Sequence, residues 1–434
     1  MRSAKVDFFV LSCYNDRKNE GELFMQNYIP RSDYLNFLIR YADKPIIKVV
    51  SGVRRSGKST LFEIFKQHLL SCGVSQNQII AVNFEDIAFE ELKDYRALHS
   101  YICNKMLPDQ MNYIFLDEIQ HCPSFEKAVD SLFIKQNTDV YITGSNAYFM
   151  SGELATLLSG RYVELKILPL SFKEFCLQQP ENLSLSEKYR RYITRSGFPY
   201  VSRFIAQDED PQQYLQSLYD TIVYNDIVKR YKIADSNLLE SVIRFLFDNI
   251  GNRLSSRKIA GAMTSAGRKI DAKTVEKYIK ALTDSLLAYE TKRYNIKGKE
   301  YLQTQEKYYI TDVALRFMLL GGKNLDVGHV LENVVYLELL RRGFSVFVGQ
   351  LDNGEVDFVA FRQNDTVYIQ VSETVRDPST LKRELAPLQS IADFHQKLLL
   401  TMDEDPDADY NGIKRLNVLD WLMGKYDFPA SQNI

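Results

Sequence analysis

Residues 52–59 read GVRRSGKS; they follow the β-branched run IIKVV (46–50) and lead into STLFEIFKQHLL (59–70), whose apolar residues recur at helical spacing. A strand that enters a glycine-spaced loop and leaves as a helix admits few architectures. Glycines let successive backbone N–H groups turn inward, and the following helix points its positive end at the same spot. Such a cup suits phosphate oxygens. Gly52, Val53, Arg54, Arg55, Ser56, Gly57, Lys58, Ser59 and Thr60 are therefore the expected phosphate-binding stretch, and residues 52–59 match the P-loop pattern in full. Lys58 is expected to reach the β- and γ-phosphates of ATP and Ser59 to ligate Mg2+. Arg54 and Arg55 are expected to touch phosphate or to cover it from solvent.

YIFLDEIQ (113–120) fits the same picture: a mainly apolar run ends in Asp117 and Glu118. A carboxylate at a buried strand end can hold Mg2+ through water, here Asp117. The neighbouring Glu118 can polarise an attacking water. VYITGSN (140–146) is a further strand whose exit offers Ser145 and Asn146 as candidates to orient water or the γ-phosphate, with a simple turn as the alternative. In LLSGRYVEL (157–165), Arg161 follows a helix; it is a candidate to neutralise transition-state charge, from a neighbouring subunit in a homo-oligomer, or it is a surface arginine. With IIAVNF (79–84), these runs alternate with helical stretches, which implies a parallel sheet.

The chain has 434 residues, 45% of them hydrophobic, enough for more than one core. No run of ~18 apolar residues suggests a membrane span. The five cysteines lack CxxC spacing, which suits reduced thiols in a cytoplasmic protein better than a disulfide or zinc scaffold. The apolar patch near the N-terminus is interrupted by Asp7, so residues 1–24 read as an extension and not as a secretory signal.

Residues 173–250 look wholly helical, broken at Pro180, Pro199 and Pro211. Beyond them the chain turns basic: residues 244–310 carry a net charge of +7, against a total of -2. SSRKIAGAMTSAG (255–267) reads as a short helix with a serine cap, and Asp271 can cap a second helix, DAKTVEKYIKALTDSLL. AYETKRY (288–294) and EYLQTQEKYYI (300–310) read as a hairpin. Two helices and a hairpin describe a winged helix-turn-helix. Lys273, Lys277 and Lys280 along the second helix, with Lys292, Arg293, Lys297 and Lys299 at the hairpin, form a stripe suited to DNA phosphates. A winged helix used for protein contacts is the alternative.

In residues 330–420 the pattern is helix, three strands, helix, strand, strand. An acid on the helix (Glu332), an aspartate on one strand (Asp357) and Gln370 on the next outline the restriction-endonuclease-like arrangement, in which carboxylates hold Mg2+ and a lysine assists water. The lysine position holds Ser372, and Lys382 on the next helix is the candidate substitute. Without a cation there, the expectation is a retained fold with little or no cleavage.

GVRRSGKSTL, FLDEIQ, TGSNAYFMSGELATLLSGRY and PLSFKEF, in this order, resemble a family of bacterial and archaeal AAA-type ATPases with a C-terminal domain of unknown function, over about residues 28–425. The resemblance implies an additional-strand P-loop fold and supports Lys58, Ser59, Asp117 and Glu118 in their usual roles. RSGFPY (195–200) departs from it, since relatives often place two glycines before the FP pair. The expected fold is α/β. An additional-strand P-loop ATPase domain (25–172) is followed by a helical lid (173–250), a winged helix-turn-helix (251–320) and a restriction-endonuclease-like domain (321–434). The expected activity is Mg2+-dependent ATP hydrolysis coupled to a DNA-binding module. A nucleotide-dependent scaffold without nucleic acid and an ATP-gated nuclease are the alternatives.

Overall fold

Strands whose apolar side chains alternate on both faces need cover on both sides, and helices must connect them when they run parallel. The computed structural model describes residues 28–145, 158, 160–206, 209–322, 326–352, 354–363 and 365–426. They form two compact units: residues up to Gly52 together with Gly57–Ile167, and Val53–Ser56 together with the chain from Leu168 onward.

In the first unit, β1 (Ile47–Gly52), β2 (Ile79–Asn83), β3 (Asn112–Asp117), β4 (Thr138–Ser145) and β5 (Tyr162–Ile167) form a parallel sheet in the order β2-β3-β4-β1-β5. The flanking helices are α1 (Ser32–Tyr41), α2 (Lys58–Ser71), α3 (Tyr95–Lys105) and α4 (Phe125–Phe133). Ile47, Val49, Ile114, Leu116, Val140 and Ile142 meet Leu98 and Ile102 of α3 and Val129 and Leu132 of α4 in one core. Val50, Phe115 and Tyr141, in the alternate register, meet Leu38 of α1 and Phe62 and Phe65 of α2 in another. Each such side chain contributes about 1.5–3 kcal/mol when fully buried. The pairing of β4 with both β1 and β3 places one strand between the glycine loop and Asp117.

Lys48 interrupts the apolar run of β1 and is fully buried. Its ammonium donates to the Asp139 carboxylate on β4 and, at 2.9 Å, to the Lys44 carbonyl. The Asp43 N–H and the Tyr141 hydroxyl each donate to Asp139 at 2.8 Å. Burial pulls the Lys48 pKa down and pushes that of Asp139 up, and in each case the partner charge opposes the shift. The pair satisfies itself, so neither member can be removed alone without leaving a buried charge.

The second unit begins helical: α5 (Phe172–Cys176), α6 (Leu185–Arg195), α7 (Ser202–Ala206), α8 (Gln212–Thr221), a π-helical continuation over Ile222–Lys229, and α9 (Ser236–Asp248). Ser196 takes φ 93°, in the left-handed region that favours glycine. Its hydroxyl offsets the strain by donating to Asp312 at 2.7 Å, and the Gly197 N–H donates to the same oxygen at 2.7 Å. At Gly197 a Cβ would lie 2.9 Å from the Leu170 carbonyl oxygen, so close approach requires glycine there.

β6 (Arg253–Leu254), α10 (Ser256–Ser265), α11 (Ala272–Asp284), β7 (Ala288–Asn295) and β8 (Glu300–Ile310) follow. Ser255 accepts from the Lys258 N–H at 3.2 Å and Asp271 from the Thr274 N–H at 2.8 Å, the two caps read from the sequence. Next come α12 (Val313–Leu320), α13 (Val327–Arg341), β9 (Ser345–Leu351), β10 (Gly354–Arg362), β11 (Asp365–Ser372), α14 (Pro378–Gln389), β12 (Gln396–Thr401), β13 (Ala408–Tyr410), β14 (Ile413–Asn417) and α15 (Val418–Leu422). Three strands, not two, follow α14; the extra one, β13, is a three-residue edge piece too short to show a periodic signal.

β6 to β14 build one nine-stranded sheet in the order β13-β14-β12-β11-β10-β9-β7-β8-β6. β7 runs parallel to β9 over Arg293↔Val348, Tyr294↔Gly349 and Asn295↔Gln350. That ladder crosses the boundary expected at residues 320 and 321. Gly349 permits it, because a Cβ there would lie 2.8 Å from Val359 and 2.9 Å from Ile296 side-chain carbons. One face of this sheet packs α13, with Leu331 and Val335 against Phe358 and Ile369. The other packs Leu385 and Leu388 of α14 against Val356, Val359 and Leu399.

The buried Lys48–Asp139 pair yields a prediction. Lys48→Met destabilises the protein by about 3–5 kcal/mol, while Lys48→Met combined with Asp139→Leu recovers much of that loss. Urea denaturation of the two variants is the measurement, and equal losses would show that the pair contributes nothing as a unit.

Candidate functional site

In a parallel sheet the strand ends that precede the crossovers lie along one edge. The C-terminal ends of β1, β3 and β4 bring Gly52, Asp117–Glu118 and Thr143 to that edge of the first unit. Gly57 takes φ 99° at the N-cap of α2, and no side chain caps the helix. The first turn of α2 thus presents N–H groups and the positive end of its dipole, with no acidic residue there to neutralise it.

Lys58 and Ser59 open α2. The Lys58 ammonium donates to the Gly52 carbonyl at 3.3 Å and pairs with Glu118 at 3.5 Å. Both Lys58 and Asp117 are buried. The Ser59 hydroxyl hydrogen-bonds the Asp117 carboxylate. Burial raises the Asp117 pKa; the Ser59 and Thr143 hydroxyls oppose that rise. A hydroxyl and a carboxylate joined in this way at a helix N-terminus are the hard oxygen donors that Mg2+ takes, so these residues fit the ion expected there.

Glu118 adopts φ 54° and ψ 45°, a left-handed conformation for a residue with a Cβ. Such strain tends to persist where the surroundings fix it. Here Thr143 does so: the Glu118 N–H donates to its Oγ1 at 2.9 Å, and that hydroxyl donates to Asp117 Oδ1. Gln120 Nε2 holds the Glu118 carboxylate at 2.5 Å. The sequence reading selected Ser145 and Asn146 after the glycine of VYITGSN and missed Thr143 before it. Thr143 follows the apolar run Val140–Ile142 directly, and that is the local signal by which it could be found. Asn146 lies outside the described residues.

Arg161 is exposed and immediately precedes β5, whose first residue, Tyr162, pairs with Ile47 at the start of β1. It therefore sits at the opposite edge of the sheet from Lys58, with its guanidinium 5.7 Å from the centre of the Phe133 ring. The structure does not bring it together with the other candidates. In the second unit, Arg54 pairs with Asp226 of the π-helical segment at 3.4 Å. Asp226 carries no local signal that would have singled it out. Arg55 takes φ 65° and is exposed.

The carboxylates of the C-terminal sheet form a separate cluster. Glu332 projects from α13 and accepts from Tyr309 Oη at 2.5 Å and from Lys307 Nζ at 2.9 Å. The same ammonium lies 3.1 Å from Glu355 and 3.8 Å from Asp357 on β10. Asp357 Oδ2 accepts from the Val371 N–H at 2.9 Å, and Arg253 pairs with Glu355 at 2.6 Å. Gln370 donates to Glu384 of α14 at 2.9 Å, and Ser372 to the Thr374 carbonyl at 3.1 Å. Lys382 is exposed on α14 and does not take the place of the missing lysine; Lys307, from the hairpin, stands among the acids instead. Its position was readable in principle, since Lys307 and the fully buried Tyr309 share one face of β8. Burial alone would lower the Lys307 pKa, but Glu332, Asp357 and Glu355 hold it above the usual lysine range. Burial and the neighbouring Glu332 push Asp357 well above the usual carboxylate range.

A family model described as an AAA domain matches residues 44–176, and one described as a domain of unknown function (DUF8612) matches residues 186–326. The walker-type ATPase PABY2304 of Pyrococcus abyssi, a solved structure, aligns with 68% of this chain and 97% of its own, at 15% identity and a TM-score of 0.47. An uncharacterized protein of Haemophilus influenzae is 40% identical over 399 residues, 91% of this chain and 98% of that protein. The uncharacterized protein MJ1544 of Methanocaldococcus jannaschii is 30% identical over 370 residues, 80% of this chain and 79% of that protein. The chain therefore belongs to the family of these Haemophilus and Methanocaldococcus proteins, with an AAA domain over residues 44–176.

Proposed function

We propose that the protein is an AAA-type ATPase that binds Mg2+ and ATP at the glycine loop and couples nucleotide state to a DNA-binding module. The observation that carries this reading is the assembly of Lys58, Ser59, Asp117, Glu118 and Thr143 at one sheet edge around an uncapped helix N-terminus. Residues 52–60 would wrap the phosphates, and Ser59 and Asp117 would hold Mg2+, which when bound supplies charge neutralisation to the triphosphate. Lys58 is the cation that would turn to the phosphates. Its release from Glu118 would free that carboxylate to take a proton from the attacking water. Thr143 and Gln120 keep Glu118 aimed while its backbone stays in the left-handed conformation.

Phosphate release is the test. Lys58→Ala abolishes both binding and turnover of ATP, whereas Glu118→Gln keeps binding and lowers kcat by about 100-fold or more. Turnover by Lys58→Ala at the wild-type rate would refute the reading.

Arg161 is the candidate for a cation acting in a neighbouring subunit, because its own glycine loop lies at the other edge of the sheet. Neither Lys58→Ala nor Arg161→Ala protein should then hydrolyse ATP alone, and mixing the two should restore part of the activity. An inactive mixture would remove Arg161 from the site.

The winged helix-turn-helix at residues 251–320 is the proposed DNA-engaging part, and residues 173–250 the helical lid. Lys273, Lys277 and Lys280 are exposed along α11, as are Arg257 and Lys258 on α10. At the hairpin, Lys297 pairs with Asp352 at 2.9 Å and Arg293 donates to Gln350, while Lys292 and Lys299 are exposed. Replacing Lys273, Lys277 and Lys280 by alanine should weaken duplex DNA binding and reduce the slope of log K against log salt by about 3. An unchanged slope would favour the reading in which this module contacts protein. Residues 321–434 are proposed to keep a restriction-endonuclease-like fold without cleaving.

A further inference from the structure

A divalent ion at the restriction-endonuclease-like centre would have to be held by Glu332 and Asp357, and the residues present do not fit it. Lys307 is buried among them, with its ammonium at 2.9 Å from Glu332, 3.1 Å from Glu355 and 3.8 Å from Asp357. An ammonium has three protons to give, and here three carboxylates surround it. Mg2+ bound to the same oxygens at about 2.0–2.1 Å would place its double charge next to a buried cation. Among the described residues, no three His, Cys, Asp or Glu side chains are grouped so as to hold a metal ion.

We infer that the Lys307 ammonium takes the place of the divalent cation, turning the nuclease-like centre into a metal-excluding ionic clasp between the hairpin and the C-terminal sheet. Three elements meet in it: β8 supplies Lys307 and Tyr309, α13 supplies Glu332, and β10 supplies Glu355 and Asp357. Arg253 of β6 adds a second cation on Glu355. Two cations, Lys307 and Arg253, face the three acids, so most of their charge is met without an ion from solution. The Glu332 carboxylate is also claimed by the Tyr309 hydroxyl, and Asp357 by the Val371 N–H. The clasp reaches across the β7–β9 seam, holding the far strand of the hairpin to the sheet that its near strand only edges.

The inference rests on the restriction-endonuclease-like reading of residues 321–434 and is independent of ATP hydrolysis. It is tested on the full chain without nucleotide, by titrating Mn2+ and following free Mn2+ by electron paramagnetic resonance. Wild type and Asp357→Asn should bind the same amount, because no ion resides at the centre. Lys307→Ala, once circular dichroism shows it folded, should gain about one bound Mn2+ per chain, and Lys307→Ala combined with Asp357→Asn should lose it again. An ion bound by wild type and lost in Asp357→Asn would overturn the clasp, and so would a folded Lys307→Ala that gains none. Should Lys307→Ala not fold, the comparison of wild type with Asp357→Asn decides alone. Supercoiled DNA incubated with Mn2+ separates the two ideas: cleavage that Asp357→Asn abolishes would sink the non-cleaving reading itself. Mn2+ bound at the centre without cleavage would sink only the clasp.

Discussion

Parallel strands cannot be joined by tight turns, and this constraint shapes the chemistry of the first unit. Each strand must leave the sheet at the same edge and return by a crossover, so the sharpest changes of backbone direction gather along one line. The glycine loop and the left-handed Glu118 are two of those changes. The strand inserted between β1 and β3 is what lets Thr143 reach both Asp117 and Glu118. One hydroxyl then orients two acids, with its proton spent on one carboxylate and its lone pair on the backbone of the other.

The part of this arrangement that was legible in the sequence is the part that is local. A loop whose glycines, lysine and serine are consecutive declares itself, and so do Ser255 and Asp271, each of which caps a helix within three residues. The hairpin at residues 288–310 was readable for the same reason: its partners are close in the chain. Asp117 and Glu118 were found because an apolar run ended on them. What escaped depends on contacts between distant segments. Thr143 is defined by which strand lies beside β3, and Arg54 by Asp226, 172 positions away. Lys307 has meaning only once α13 and β10 are in place.

The hairpin shows how the same residues can be read in two ways. Counted as sequence, its cations form a basic tip. Placed in the sheet, Arg293 donates to Gln350, Lys297 pairs with Asp352 and Lys307 is buried, while Lys292 and Lys299 stay exposed. Net charge along a chain therefore overstates what a solvent-borne polyanion can reach, and the exposed lysines of α11 and of the hairpin are the better measure. Lys48 makes the complementary point within β1, where a lone lysine in an apolar strand marks a buried partner and not a surface position.

The three-residue ladder between β7 and β9 has a mechanical consequence. Tension applied to the hairpin would run along β7 and shear that short seam before disturbing the longer ladders on either side of it. With Gly349 leaving no room for a side chain there, the seam cannot be thickened by substitution. What resists such a pull is therefore the shared apolar core and the Lys307 contacts beside the seam, more than the seam itself.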